Sequence, residues 1–493
     1  MSKGFSPWDM AIFAASLLLS ASIGVFYAVR GGASNEEFLL GKRQMPVLPT
    51  ALSILTSFLS GVLLLAIPAE IYEHGLSAWI YMLAGAISMT VNGLLFLPVL
   101  YRLKPTSVYE YFQVRFHSKL LRVLGSTFFI LNTLVYVSVV MYAPAVALSG
   151  VTDIPVWAFI ISVGLVCTFY TSIGGLKAVV WADTLQASLM YAGVLALAVK
   201  TTVDTGGLKE VFRIASGADR FKPLTNFNPN PLQYFSVWIA SFGGFGYWLG
   251  QYGLSQIAVQ RYCSLASLNQ ARLVVACVIP CYILLVTCCC FVGLVLVAYF
   301  KRCDPRQTGE IRSKDQLVIY MVAESLGSIP GLPGLFLACL CSGTLSTVSS
   351  GINSISTVVW QDFIRSWLPT SKQDSVNTVY VSKLIALLAG LLTTGMAFLC
   401  DPIGGLLKSV TNLMGTLAGP LIGLFALGIL VPRANRQGAL VSVAMTVTFL
   451  LWICYGNIQY KPYKNYRLPI GDQCLVNDTN PINGSTVFTV RRP

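Results

Sequence analysis

Of the 493 residues, 55% are hydrophobic and only 11% are charged, and the mean hydropathy is +0.69. A soluble domain carries roughly 25% charged residues, so the composition excludes a string of soluble domains and points to one polytopic all-α membrane bundle. The net charge of +13 (33 basic against 20 acidic residues) is dispersed over loops, without the dense basic run and interleaved aromatics of a nucleic-acid partner, and is read as charge at the faces of a lipid bilayer.

Met1 to Pro7 is short and carries one Lys, and the apolar run after Trp8 is long enough to span, so no cleavable signal is read. Apolar runs of about 20 residues predict about twelve transmembrane helices, at 8–29, 46–72, 76–102, 120–149, 155–173, 177–200, 236–259, 272–300, 331–362, 378–399, 403–431 and 437–456. The connections after 29, 102, 259, 362 and 431 carry Arg30, Lys42, Arg43, Lys104, Arg115, Lys119, Arg261, Arg365, Lys372, Arg433 and Arg436. The short opposite connections 73–75, 150–154 and 400–402 carry no Lys or Arg, which places the first set in the cytoplasm and the N-terminus outside. Residues 1–456 are thus a transmembrane domain, and 457–493 an extracellular tail with sequons at Asn477 and Asn483 as glycosylation sites. Most of the 13 cysteines lie in apolar runs and read as small buried hydrophobes. Cys303, Cys400 and Cys474 fall near outer loops, where pairing is open.

Two spans are interrupted: the second at Ser57-Phe-Leu-Ser-Gly61, the seventh at Ser241-Phe-Gly-Gly-Phe-Gly246. Each opens a five-helix unit, about 46–200 and about 236–431, and broken helices at matching positions of two halves point to a transporter binding site. Small-residue helix packing explains either segment taken alone.

Within the ninth span, Ser342-Gly-Thr-Leu-Ser-Thr-Val-Ser-Ser350 places many hydroxyls at membrane depth. Lipid offers them no partner, so they face helices, a cavity or an ion. A lone Ser or Thr bonds its own helix; a cluster with one intramembrane carboxylate, Asp183, has the oxygens a hard cation such as Na⁺ selects. Asp183 also suits a salt bridge, with Lys177 the nearest partner in sequence, while Arg261 reads as a cytoplasmic-boundary anchor and Glu70 as a gate or structural pair. The 2 histidines, His74 and His117, fall in predicted loops, and no nucleophile or paired-carboxylate motif is present, so an enzyme is not expected.

Several motifs together resemble the sodium/solute symporter family: Tyr170-Thr-Ser-Ile-Gly-Gly-Leu-Lys-Ala178, Trp181-Ala-Asp-Thr-Leu-Gln186, Gln256-Ile-Ala-Val-Gln-Arg-Tyr262 and Ser342-Gly-Thr-Leu-Ser-Thr347. Pro68-Ala-Glu-Ile-Tyr72, Tyr101-Arg-Leu103, Ser107-Val-Tyr-Glu-Tyr111 and Tyr142-Ala-Pro144 resemble its multivitamin, monocarboxylate and iodide branch. The resemblance implies a LeuT-type five-plus-five inverted repeat, alternating access and Na⁺ as the co-transported ion. It implies a Na⁺ site from the backbone carbonyls of Thr56 and Leu59, the hydroxyls of Ser346 and Thr347, and Asp183. It places Phe58, Ser60, Leu63, Gly85, Tyr136, Trp248 and Phe425 around the substrate, with Leu63 and Gly85 departing from the polar residues of iodide transport. It also implies a thirteenth span and a cytoplasmic tail, before which this chain is expected to stop. The expected function is plasma-membrane Na⁺-coupled symport of a small organic anion, a monocarboxylate or a vitamin such as biotin or pantothenate. The rivals are iodide-like transport, and a sensor or channel on the same fold.

Overall fold

The computed structural model describes residues 6–30, 34–151, 154–230, 233–234, 236–311, 313–367, 378–400, 406–460 and 467–468. Asn477, Asn483 and Cys474 lie outside the described residues. The helices used below are α1 (Pro7–Arg30), α2 (Val47–Phe58), α3 (Gly61–His74), α4 (Ser77–Val91), α5 (Lys119–Ser149), α6 (Val156–Asp204), α7 (Val237–Leu249), α8 (Gln256–Cys263), α9 (Leu268–Tyr299), α10 (Leu332–Val358), α11 (Thr378–Phe398), α12 (Leu406–Leu430) and α13 (Arg436–Tyr460). Each of the twelve segments expected from apolar runs overlaps helix among the described residues. Among the described residues, eight helices are long and apolar enough to cross a bilayer, or nine if α2 and α3, bent by 59°, form one span. The chain is a multi-pass membrane protein.

The fifth and sixth expected spans run together as α6, which turns at Gly175 (φ 58, ψ −155). A side chain there would strain that left-handed backbone, and a Cβ would lie 2.5 Å from the Phe38 carbonyl oxygen. The sequence Ile173-Gly-Gly175 therefore kinks the chain between two helical stretches without a loop. The centre of the bundle is α10, buried at every residue from Phe336 to Val358 and packed along α6, α1, α5 and α2. Its small residues make this burial possible: a Cβ on Gly351 would touch Val137 of α5 at 2.6 Å. At the periphery, α1 exposes Leu18 and Val29, and α13 exposes Met445 and Trp452, the apolar surface a bilayer covers.

The second span breaks where expected. α2 ends at Phe58, Leu59 is non-helical (φ −95, ψ 83), and α3 restarts after Ser60. The seventh does not break at its glycines. α7 runs helical through Gly243, Gly244 and Gly246, and the interruption follows at a wide turn, Gly250–Leu254, and at extended Ser255 (ψ 149). The glycines serve packing instead: a Cβ on Gly244 would meet the Tyr81 carbonyl oxygen of α4 at 2.3 Å. Ser255 then caps α8, its hydroxyl accepting from the Ala258 N–H at 3.2 Å.

The cysteine expectation divides. Eleven, including Cys288-Cys289-Cys290 and Cys400, are free thiols, whereas Cys303 is disulfide-bonded. His74 is the last residue of α3, not a loop residue, and among the described residues no His, Cys, Asp or Glu cluster could hold a metal.

Candidate functional site

The break in the second span lies directly on α10. A Cβ on Gly61 would meet the Leu340 carbonyl oxygen at 2.6 Å, and a Cβ on Gly343 would meet the Gly61 nitrogen at 2.7 Å. Two glycines thus let an opened backbone touch the hydroxyl-rich helix, and Ser346 and Thr347 stand one turn further along it. Ser346 Oγ donates to Thr56 Oγ1 at 2.7 Å. Backbone donors run out at the break: Leu59 N–H bonds Leu55, and the N–H groups of Leu63 and Leu64 both return to Ser60. Among the described residues, nothing donates to the carbonyl oxygens of Thr56 and Leu59. Buried carbonyls without donors are rare and seek a partner.

The hydroxyl cluster serves two purposes. Thr344, Thr347 and Ser349 donate to carbonyls of their own helix, at 3.0, 3.0 and 3.1 Å, as ordinary intramembrane hydroxyls do. Ser346 and Ser350 instead reach α2, Ser350 lying 2.8 Å from Ser57 Oγ. A hydroxyl that donates to its own helix keeps lone pairs for an ion.

Asp183 belongs to the same cluster through different partners from those expected. Ser53 Oγ donates to Asp183 Oδ2 at 2.5 Å, and Arg261 Nη2 lies 3.3 Å from the same oxygen. Arg261 Nε donates to Ser53 Oγ at 2.7 Å, and Nη2 to Ser350 Oγ at 2.6 Å. Arg261 is therefore no boundary anchor, since both it and Asp183 are 0% exposed. Lys177 bonds Glu37 rather than Asp183. Arg261 can lie this deep because α8 is buried at all eight residues, with polar ones individually satisfied. Gln256 accepts from Val108 N–H at 2.7 Å, and Gln260 donates to the Leu39 carbonyl at 2.7 Å. Three polar side chains in Gln256–Arg261 were the available signal, masked by the basic residue's place near a span end.

Beside the break opens a small cavity, part of it open to solvent. Phe58, Tyr136 and Phe425 line it, with Tyr247, Gln251 and Asn132. Among its lining residues none is charged, and Ser255 at the start of α8 forms part of the wall. Phe425 closes one end by packing on Phe112 at a ring separation of 4.4 Å, with Tyr109 and Tyr111 behind it. Ser60, Leu63, Gly85 and Trp248 are not on this cavity. The free volume expected at Gly85 is filled: a Cβ there would lie 2.7 Å from Tyr282 Oη and 3.1 Å from Trp248 Cδ1. Trp248, Tyr252 and Tyr282 form one aromatic cluster, joined to Phe58 by a 4.8 Å contact with Tyr252. Ser60 Oγ and Trp248 Nε1 are both buried without a hydrogen-bond partner.

Glu70 is an ion-pair residue. It meets His74 Nδ1 at 2.9 Å and Lys314 at 3.3 Å, and accepts from the Tyr234 hydroxyl. Glu73 beside it binds Arg306, and its carbonyl accepts from Leu468 N–H at 2.9 Å. Burial pushes the Lys314 ammonium down, but Glu70 and Glu73 outweigh it and hold its pKa above the ordinary lysine range. These contacts tie the end of α3 to the loops over it.

Residues 38–446 match the family model described as the sodium:solute symporter family. Human sodium-coupled monocarboxylate transporter 1 is 39% identical over 97% of this chain and 78% of its own length. Human sodium-coupled monocarboxylate transporter 2 is 39% identical over 96% and 77%, and the rabbit sodium-dependent multivitamin transporter 38% over 92% and 71%. The solved structure of a Na⁺-coupled sialic acid symporter, substrate-bound and outward-open, aligns with TM-score 0.84 at 23% identity, over 92% of this chain and 93% of that one. That likeness establishes the LeuT-type fold that the family resemblance implied.

Proposed function

The chain belongs to the sodium:solute symporter family and is a sodium-coupled symporter of small organic solutes, not an enzyme, and we propose that its solute is a small organic anion, a monocarboxylate or a vitamin of the biotin or pantothenate kind. The observation that carries the ion site is the pair of donorless carbonyls at Thr56 and Leu59 against the hydroxyls of Ser346 and Thr347. Na⁺ held there would stabilise one arrangement of the α2–α3 break. Substrate binding alongside would then raise the apparent affinity for Na⁺, and Na⁺ that for substrate, by linkage. Asp183 supplies the negative charge of the site while Arg261 balances it from the other side. The membrane potential contributes about 2.3 kcal/mol per charge per 100 mV.

The cavity supports an organic anion over a bare ion. Aromatic walls at Phe58, Tyr136, Tyr247 and Phe425 give broad apolar contact, while Gln251, Asn132 and the start of α8 offer amides and a partial positive charge. Uptake into vesicles containing the purified chain, with pantothenate, biotin, lactate, nicotinate and iodide offered in turn, tests this. A carboxylate should accumulate only with an inward Na⁺ gradient. Accumulation of iodide alone would overturn the solute assignment; binding without uptake would indicate a sensor, and flux indifferent to the gradient a channel.

We place the chain in the plasma membrane, with the N-terminus and 457–493 extracellular, on the strength of the Lys/Arg-free short connections and the tail sequons. Deglycosylation of protein from a glycosylating host should increase its gel mobility, and Asn477→Gln with Asn483→Gln should abolish the change. A tail epitope protected from protease on intact cells would refute the topology.

A further inference from the structure

Away from the cavity beside the α2–α3 break, a small pocket partly open to solvent lies where the end of α1 meets the Gly175 turn of α6 and the first turns of α11. Its walls include Tyr27, Glu37, Phe38, Lys177 and Lys383. Lys177 and Lys42 share the single carboxylate of Glu37, Lys42 at 3.1 Å. Lys383 is half-buried, and among the described residues no carboxylate pairs with it. Three ammonium groups against one carboxylate leave an excess of two positive charges at this spot. The short helix Asn35–Leu40 holds Glu37 in place, its Ser34 cap accepting from Glu37 N–H at 3.2 Å.

Tyr27 also lines a second, more open space on the flank of the bundle, bounded by Ser22, Ile23, Phe26 and Trp181. Phe26 and Trp181 are 46% and 38% exposed on the flank of the bundle. Arg30 lies over the Phe26 ring at 4.4 Å, adding a further cation at the junction. A basic pocket and an apolar trough thus meet at one tyrosine, at the end of a membrane helix.

We propose that this composite site binds an anionic glycerophospholipid, with its phosphate and acidic headgroup between Lys383 and Lys177 and one acyl chain along Ser22, Phe26 and Trp181. Charge complementarity selects the headgroup, and the trough, continuous with the bilayer-facing flank, selects a molecule that carries a chain. A free phosphate or soluble carboxylate would use the pocket and leave the trough empty. Occupancy would brace α1 and α11 against the turn at Gly175.

Native mass spectrometry of the purified full chain tests the site, with palmitoyl-oleoyl phosphatidylserine and phosphatidylcholine titrated in parallel. Phosphatidylserine should be retained at lower concentration than phosphatidylcholine. Lys383→Gln should weaken its retention by about fivefold, given about 1 kcal/mol per basic residue near a lipid surface, and Lys383→Glu by more. Lys383→Arg should keep it, which separates lost charge from misfolding. Ser22→Trp, which fills the trough, should weaken retention of phosphatidylserine as well. Equal retention of the two lipids, unchanged retention in Lys383→Gln, or unchanged retention in Ser22→Trp would overturn the proposal. So would displacement of phosphatidylserine by millimolar O-phosphoserine, which would mark a soluble-anion site instead.

Discussion

Arg261→Leu is expected to destabilise the protein by about 3–5 kcal/mol, because removing one partner of a buried ion pair strands the other. Asp183 and Arg261 are both 0% exposed, and Ser53 and Ser350 are their hydroxyl partners. Without the guanidinium, Asp183 keeps Ser53 and loses its counter-charge. Asp183→Asn alone strands Arg261 and should cost a similar amount. Arg261→Leu with Asp183→Leu leaves no buried charge and should recover much of the loss. A second signature follows from the ion site: in Arg261→Leu, the uncompensated carboxylate should make the unfolding temperature rise more steeply with NaCl, relative to choline chloride, than in the parent. Thermal unfolding in detergent reads both effects. Arg261→Leu with parental stability would show that the pair is not held together in the folded protein.

Thr347→Ala is expected to raise the Na⁺ concentration for half-maximal uptake by about 5- to 150-fold, the equivalent of about 1–3 kcal/mol for one lost buried polar contact. The hydroxyl proton of Thr347 goes to the Gly343 carbonyl at 3.0 Å, so its lone pairs remain for the ion. Thr347→Ser keeps that oxygen and should restore most of the Na⁺ affinity. Thr201→Ala is the control, because its hydroxyl bonds only the Leu197 carbonyl of its own helix, at 2.7 Å. Na⁺-dependent uptake measured against surface expression separates loss of the ion from loss of protein. A Na⁺ dependence in Thr347→Ala equal to that of the control would leave the α10 hydroxyls as packing groups only.

The break at Leu59–Ser60 was legible in the sequence as a polar run with a glycine inside an apolar span, a pattern that either frees backbone groups or lets helices pack closely. The glycines of α7 carried the same local signal and a different outcome. Whether a Gly breaks a helix or admits a neighbouring backbone depends on what lies opposite, and Tyr81 of α4 lies opposite Gly244. Trp248 and Gly85 show the same dependence. Their proximity is real, but it fills space that the sequence alone presented as open.

Composition and apolar run length determined by themselves that this chain is a helical membrane bundle, since a bilayer tolerates only backbones that satisfy their own hydrogen bonds. The motifs determined the family, and the hydroxyl run in α10 marked the helix on which the proposed ion site is built. Only the tertiary structure decided the partner of Asp183. Arg261 stands 78 residues away in sequence and, near a predicted helix end, has the ordinary look of an interfacial anchor. Its burial follows from α8 being enclosed on all sides, with Gln256 and Gln260 bonded to backbone on either hand. Charge pairing inside a membrane is settled by which helices meet and at what depth, and a linear pattern records neither.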